Sequence, residues 1–394
     1  MSRKSRLERL ENQPYRKEER LRRGTILSPV DGTLFLIIMF LVVIGVMAVF
    51  SAGAPEGIRL FDDPIHFAIR HVFFVVIGLL VLIYTSKIDY KKWRKYSKQI
   101  GIVVTVLIFA TLIPGLGKTS YGSSRWLTFL PIQPSEFASL AMILMLAKAL
   151  SENKSVKDEG FYKPMMLIGF MILCILKQPN LSITLLLSST CAAMMLVGGV
   201  SFNLMSSGAL LLVPFLLMKV HGTIYQMKRI TGWLDPWADQ QGTGYNLIQS
   251  WYAISSGGLF GVGFGQSKQK LFWLPFAHTD FIFSVISEEF GFIGCVILIG
   301  LFVAFIHKGF RISSACPDQF GRLVAFGITF VTGIQAFINI AVATGVFPVT
   351  GVTLPLISYG GSSFIVTMAK LGILLNISRK RIKRIAPDGQ QYAV

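Results

Sequence analysis

Apolar residues run along this chain in blocks long enough to cross a lipid bilayer, separated by short polar joints. Ten such blocks stand at 33–52, 66–85, 100–115, 135–150, 164–177, 181–200, 203–219, 281–306, 322–346 and 355–377, the fifth and seventh being the weakest. A helix needs about 20 residues to cross the hydrocarbon core. The pattern therefore predicts an all-α polytopic membrane protein of about ten transmembrane helices, with a large external segment (220–280) between helices seven and eight. It divides the chain into a basic tail (1–31), a membrane domain (32–378) and a second basic tail (379–394). The first block reads as a retained span, because a long basic tail and the turn Ser28-Pro-Val-Asp-Gly precede it.

Composition agrees: 53% of the residues are hydrophobic and 15% charged, far from the balance of a soluble domain. The net charge of +18 raises the question of nucleic acid, and the placement of the charge answers it. Basic residues crowd the N-terminal tail (Arg3 to Arg23), the joint after the second block (Lys87 to Lys98) and the C-terminal tail (Arg379 to Arg384). All three lie on one side of an even set of spans, so both termini are expected in the cytoplasm, facing anionic lipid. No basic surface interleaved with aromatics supports nucleic-acid binding. Cys174, Cys191 and Cys295 fall in apolar blocks and Cys316 in an inner joint, so neither a disulfide nor a zinc site is expected.

With that topology, the chemically distinctive stretches face outward: 53–65, 116–134, the Lys177-Gln-Pro-Asn turn, 220–279 and 348–354. The long segment places Trp233, Trp237, Trp251 and Trp273 at headgroup level and carries Gly257, Gly258, Gly261, Gly263 and Gly265. Tyr245 to Phe260 is apolar but short, and reads as a re-entrant or interfacial helix pair. The glycine spacing fits no nucleotide-binding pattern. Two readings remain: close approach of helices, or backbone N–H groups approaching a lipid phosphate, with Lys268 and Lys270 supplying charge.

The run Leu274 to Glu289, LPFAHTDFIFSVISEE, puts His278, Asp280, Glu288 and Glu289 at the head of an apolar block, where charge is expensive. On a helix starting near Thr279, Asp280, Ser284, Ser287 and Glu288 form one polar stripe and Glu289 points away. Glu288 then lies ~12 Å deeper than Asp280. Asp280 is either a functional carboxylate at the outer mouth or an N-terminal helix charge favoured by the macrodipole. Glu288 and Glu289 are either structural, paired inside the protein, or part of a proton or metal path. Upstream, GSSRWLTFLPIQPSEF sets Arg125 beside Trp126 as a phosphate candidate, with Glu136 in the opening turn of the fourth block. Near the C-terminus, Ser358-Tyr-Gly-Gly-Ser-Ser stands inside an apolar block, suited either to close helix packing or to substrate contact.

Together GSSRWL, QPSEF, QPNLS, SSGGLFGVGFGQS, LPFAHTDFIF and NIAVATGVFPVTGVTLPLISYGGSS resemble, in family order, the SEDS (shape, elongation, division and sporulation) polymerases of the bacterial cell wall. GQSKQKLFWLP is closer to the cell-division member than to the elongation member. The resemblance implies ten helices and peptidoglycan glycosyltransferase activity on lipid II, the undecaprenyl-pyrophosphoryl disaccharide-pentapeptide. It implies a class B penicillin-binding protein as transpeptidase partner, other division-complex membrane proteins, and a place in the cytoplasmic (inner) membrane at the septum. It also makes Asp280 the essential aspartate. Phe276 and Asn180 depart from the family pattern, each removing an outer carboxylate.

The chemistry fits these residues independently. Lipid II is activated by its pyrophosphate, so elongation needs a base for an acceptor hydroxyl and cations for the leaving group. Asp280 is the expected catalytic base; Arg125, Lys268, Lys270, Glu136, His278 and Ser358 are expected substrate-binding residues. A divalent cation, Mg²⁺ or Mn²⁺, would suit the pyrophosphate. The alternative is a lipid II flippase, which intramembrane carboxylates would also suit.

Overall fold

The structure, a computed structural model, describes residues 25–27, 29–120, 123–128, 132–152, 158–203, 224–385 and 391–393. Eleven α-helices occur among the described residues: α1 (Gly32–Phe61), α2 (His66–Lys87), α3 (Tyr90–Ala110), α4 (Pro134–Glu152), α5 (Glu159–Lys177), α6 (Leu181–Val197), α7 (Ile224–Leu234), α8 (Tyr245–Ser256), α9 (Ile282–Ala315), α10 (Gln319–Ala343) and α11 (Gly361–Ser378). Seven of them are long and apolar enough to span a membrane. Two more complete the expected pattern: α3, whose first turns are basic, and the 17-residue α6. The seventh apolar block, 203–219, lies outside the described residues, apart from its first position.

Side-chain caps set several starts. Asp31 accepts from the Leu34 N–H, Asp89 from Lys91, Asn180 from Ile183 and Asp318 from Gly321, each satisfying an N–H that the first turn leaves open. The cap at Asp89 begins α3 ten residues before the apolar block that announces it. The tenth block behaves in the opposite way. Its first residues, up to Gly360, are irregular, with Leu356 at φ 65°, because Ser358 is held by a turn outside the helix.

Helices α4, α10 and α11 are buried on nearly every side and form the centre. By contrast α1, α2 and α9 leave Phe40, Phe73 and Val303 on the outside, as expected of helices with one face toward lipid. Two short hairpin-like pairings flank the bundle. Strands β2 (Gly117–Ser120) and β3 (Ser123–Leu127) pair antiparallel within the joint between α3 and α4. The tails are also joined: β1 (Thr25–Leu27) pairs antiparallel with β4 (Lys380–Ile385), which pairs with β5 (Gln391–Ala393).

Tyr245 to Phe260 holds one helix, α8, where a pair was expected. After α8 the chain makes a run of glycine turns that docks on a break in α9 at Gly291 (φ 65°, ψ −164°). There the Val262 and Gly263 N–H groups donate to the Glu288 and Glu289 carbonyls (3.0 and 3.1 Å), and Phe292 and Ile293 donate back to Gly258 and Leu259 (2.9 and 3.2 Å). A Cβ on Gly257 would lie 2.1 Å from the Ser287 carbonyl oxygen, and one on Gly261 2.1 Å from that of Glu289. The backbone groups freed by the break are thus satisfied by another backbone, the condition for irregular chain at membrane depth. This docking accounts for Gly257 and Gly261 as close approach of chain segments.

Candidate active site

Asp280 sits in the turn immediately before α9, on a short scaffold built from three directions. Its N–H donates to the Phe276 carbonyl (3.1 Å), and Asn339 of α10 donates to the Asp280 carbonyl (2.8 Å) and to Val352 (2.8 Å). Ser358 donates to the Thr279 carbonyl (2.5 Å) and accepts from the Leu354 N–H (2.9 Å), and Tyr359 N–H donates to the His278 carbonyl (2.9 Å). The loop 351–359 therefore clasps the turn that carries the aspartate. A Cβ on Gly351 would stand 3.6 Å from Asp280 Oδ2, so the glycine leaves room over the carboxylate.

Two guanidiniums share this space with Asp280. Burial pushes its carboxyl up to about 6, and the positive charges of Arg229 and Arg125 act against that rise. Arg125 reaches in from β3, fixed by a hydrogen bond from Nη2 to the Pro179 carbonyl (3.1 Å). Arg229 comes from α7. Among the described residues no hydrogen-bond donor engages the Asp280 carboxylate. A carboxylate with two nearby cations and open space above it can take a proton while an anionic group is bound alongside.

The other expected residues separate into distinct places. Lys268 is exposed, beside the docked glycine turns, while its backbone N–H donates to Glu288 Oε1 (2.8 Å). Lys270 is buried: its ammonium pairs with Glu289 (2.7 Å) and Ser51 of α1 (2.6 Å), and Ser51 donates to the same carboxylate oxygen (2.5 Å). That geometry gives Lys270 a structural partner in place of a phosphate. Glu288 accepts from the Ser267 hydroxyl (2.5 Å) and from the N–H groups of Lys268 and Gln269. The two carboxylates, expected on opposite faces, thus pin one external loop to α9. Helix α9 starts at Ile282, after Asp280, so the projected stripe does not form; Ser284 instead meets Ser250 of α8 (2.7 Å).

Glu136 lies inside the bundle, facing Lys370 of α11 and hydrogen-bonded to Ser363. His278 is wedged between Phe67 (centroids 4.7 Å) and Tyr359 (5.7 Å), and burial pushes its imidazole down to about 4, so it is neutral near pH 7. Ser358 has both its hydroxyl roles filled by the clasp. These two position the turn that carries Asp280. Arg229 and Asn339 were missed in the sequence. Arg229 follows Lys228 in a mixed segment and looks like surface charge; Asn339, an amide four residues after Gln335 in an apolar run, was the available signal.

Comparison with known proteins places this arrangement. The chain is 38% identical over 355 residues to the probable peptidoglycan glycosyltransferase FtsW of Geobacter metallireducens, covering 89% of this chain and 95% of that one. It is 42% identical over 355 residues to the stage V sporulation protein E of Bacillus subtilis, covering 89% and 97%. Among solved structures it superposes with TM-score 0.74 and 30% identity on a chain described under structural coordination of polymerization and crosslinking by a peptidoglycan synthase complex, covering 89% and 98%. It superposes with TM-score 0.65 and 28% identity on the rod shape determining protein RodA of Thermus thermophilus, covering 89% and 97%. A family model described as cell cycle protein, FtsW/RodA/SpoVE, matches residues 32–383, and with the motifs in order around the clasped Asp280, the chain belongs to that family, the SEDS proteins.

Proposed function

We propose that this chain is a peptidoglycan glycosyltransferase that polymerises lipid II at the outer face of the cytoplasmic membrane, in septal wall synthesis during division. The observation that carries the reading is the Asp280 carboxylate, part-buried between Arg125 and Arg229 and held by α10 and the 351–359 loop. Asp280 takes the proton of the acceptor sugar's 4-hydroxyl as that oxygen bonds to the donor's anomeric carbon. The carbon–oxygen bond to the pyrophosphate breaks in the same displacement. The electron pair leaves with undecaprenyl pyrophosphate, whose charge Arg125 and Arg229 stabilise. The neutral His278 keeps the turn in place and brings no charge of its own.

A divalent cation would find one carboxylate here, Asp280, and would take its other ligands from the pyrophosphate and water. No cluster of three acidic, His or Cys side chains gathers among the described residues, so the donors do not build a resident metal site and no step runs through one. The flippase reading rested on Glu288 and Glu289, and both carboxylates are engaged by structural partners. A class B penicillin-binding protein, with other division membrane proteins, is the proposed partner, by likeness to the synthase complex. The test is incubation of the purified chain, with and without a class B penicillin-binding protein, with labelled lipid II. Glycan polymer is expected in at least one arm; lipid II translocation with no polymer in either arm overturns the proposal.

A further inference from the structure

At the end of the bundle opposite the Asp280 turn, α3, α4 and α5 enclose a groove of about 360 Å³, a size typical of small-ligand sites. Two helix faces build it with the same spacing. Helix α4 presents Met145, Lys148, Ala149 and Glu152, and α5 presents Gly160, Lys163, Pro164 and Leu167, in each case i, i+3, i+4 and i+7. Helix α3 closes the side with Ser97 and Lys98. Charge around the groove does not cancel. Glu152 is paired with Arg94 (2.9 Å) and Glu159 with Lys163, which leaves Lys98 and Lys148 without an acidic partner among the described residues. Lys148 is the more telling of the two. It is part-buried, on a helix that is otherwise apolar and enclosed, where an ammonium without a counter-charge is costly.

We infer that this groove binds the phosphodiester headgroup of an anionic phospholipid from the inner leaflet, through the ammonium groups of Lys98 and Lys148. The positive charge selects an anion, and the walls select an amphiphile over a free ion, because Met145, Ala149 and Leu167 line the same space. Beyond the groove α5 also exposes Met166, Phe170 and Leu173 at i, i+4 and i+7, about a quarter turn around the helix from the groove-lining residues, apolar surface against which an acyl chain can lie. Lysines at such a depth reach the headgroup region while their stems stay in apolar surroundings.

The test is native mass spectrometry of the full-length chain in detergent, titrated with dioleoyl phosphatidylglycerol or dioleoyl phosphatidylcholine. One phosphatidylglycerol should be retained at least roughly tenfold more strongly than phosphatidylcholine, and Lys98→Gln/Lys148→Gln should abolish that preference. Lys91→Gln/Lys92→Gln, which removes two exposed charges of the same face outside the groove, should leave it unchanged. If the double glutamine variant unfolds, Lys148→Arg, which keeps the cation, must retain the lipid. Equal retention of both lipids, or equal loss in the control variant, overturns the site. Release of the lipid by millimolar inorganic phosphate also overturns it, by assigning the groove to a free anion.

Discussion

At the residue scale the central quantity is the ionisation of Asp280. Its carboxyl is raised to about 6 by burial, with Arg229 and then Arg125 opposing the rise. A base must be ionised to act, so polymerisation should be lost as pH falls through about 6 and level off above roughly one unit higher. Arg229→Met removes the larger opposing charge; the carboxyl should rise further and the acid limb should move to higher pH. A pH–rate profile of the two proteins at saturating lipid II reads this directly, and an unmoved limb would detach Arg229 from the aspartate. Asp280→Asn keeps shape and removes the proton acceptor. Its polymer yield per folded molecule should drop by about 10²–10⁴-fold, whereas a merely structural aspartate acting on the helix dipole would cost about 0.3–1 kcal/mol of stability and leave turnover intact. Ser358→Ala acts differently: it leaves the Leu354 N–H and the Thr279 carbonyl without their partner. A loss of about 1–3 kcal/mol is expected in thermal unfolding, together with lower turnover as the aspartate's turn loosens.

At the element scale, the most demanding feature is the join between the glycine turns and broken α9. Gly257→Ala forces its new carbon against the Ser287 carbonyl and should cost about 1–3 kcal/mol or more. Gly258 has open space around it, although its φ is +54°, so Gly258→Ala should cost only ~1 kcal/mol. Melting temperatures in one detergent separate the two, and equal shifts would mean that the close approach is not what the sequence protects. The neighbouring Lys270–Glu289 pair obeys the logic of buried ions: Lys270→Met alone strands a carboxylate and should cost about 3–5 kcal/mol, while Lys270→Met/Glu289→Leu should recover much of it. Much of this was open to reading in the sequence. The apolar blocks located the helices, the Ser28-Pro-Val-Asp-Gly turn marked the entry to the first, and LPFAHTDF marked the aspartate. What escaped depended on the third dimension. The role of Lys270 is decided by Glu289, nineteen residues later in the chain and beside the break in α9 at Gly291. Arg229 joins the site only because α7 brings it across to Asp280. The expected polar stripe failed for a local reason: α9 begins two residues too late for Asp280 to belong to it.

At the scale of the whole molecule, the pairing of the tails places both ends together, as the basic clusters suggested. Thr25 faces Ile382 across an antiparallel pair, so the two ends of the membrane domain emerge on one side. Counting α3 and α6 with the seven helices long and apolar enough to span gives nine crossings among the described residues, and nine crossings alone would leave the ends on opposite sides. The chain must therefore change sides once more between the end of α6 and the start of α9, where α7 and α8, at 11 and 12 residues, are too short to do it. The positive-inside rule expects the basic tails inside; on that expectation α6 ends inside and the segment leading to Asp280 lies outside. Single cysteines at the exposed positions Ser201 and Gln240, placed in a chain whose buried native cysteines are unreactive to an impermeant maleimide, should behave oppositely. In intact cells Gln240→Cys should label and Ser201→Cys should label only after the membrane is opened. The same experiment decides where the chemistry happens, because Asp280, Arg125 and Arg229 sit at one end of the bundle and the lysine groove at the other. Labelling of Ser201→Cys from outside would invert the molecule, put the aspartate on the cytoplasmic face, and remove the basis for both the outer-face polymerase and the inner-leaflet lipid site.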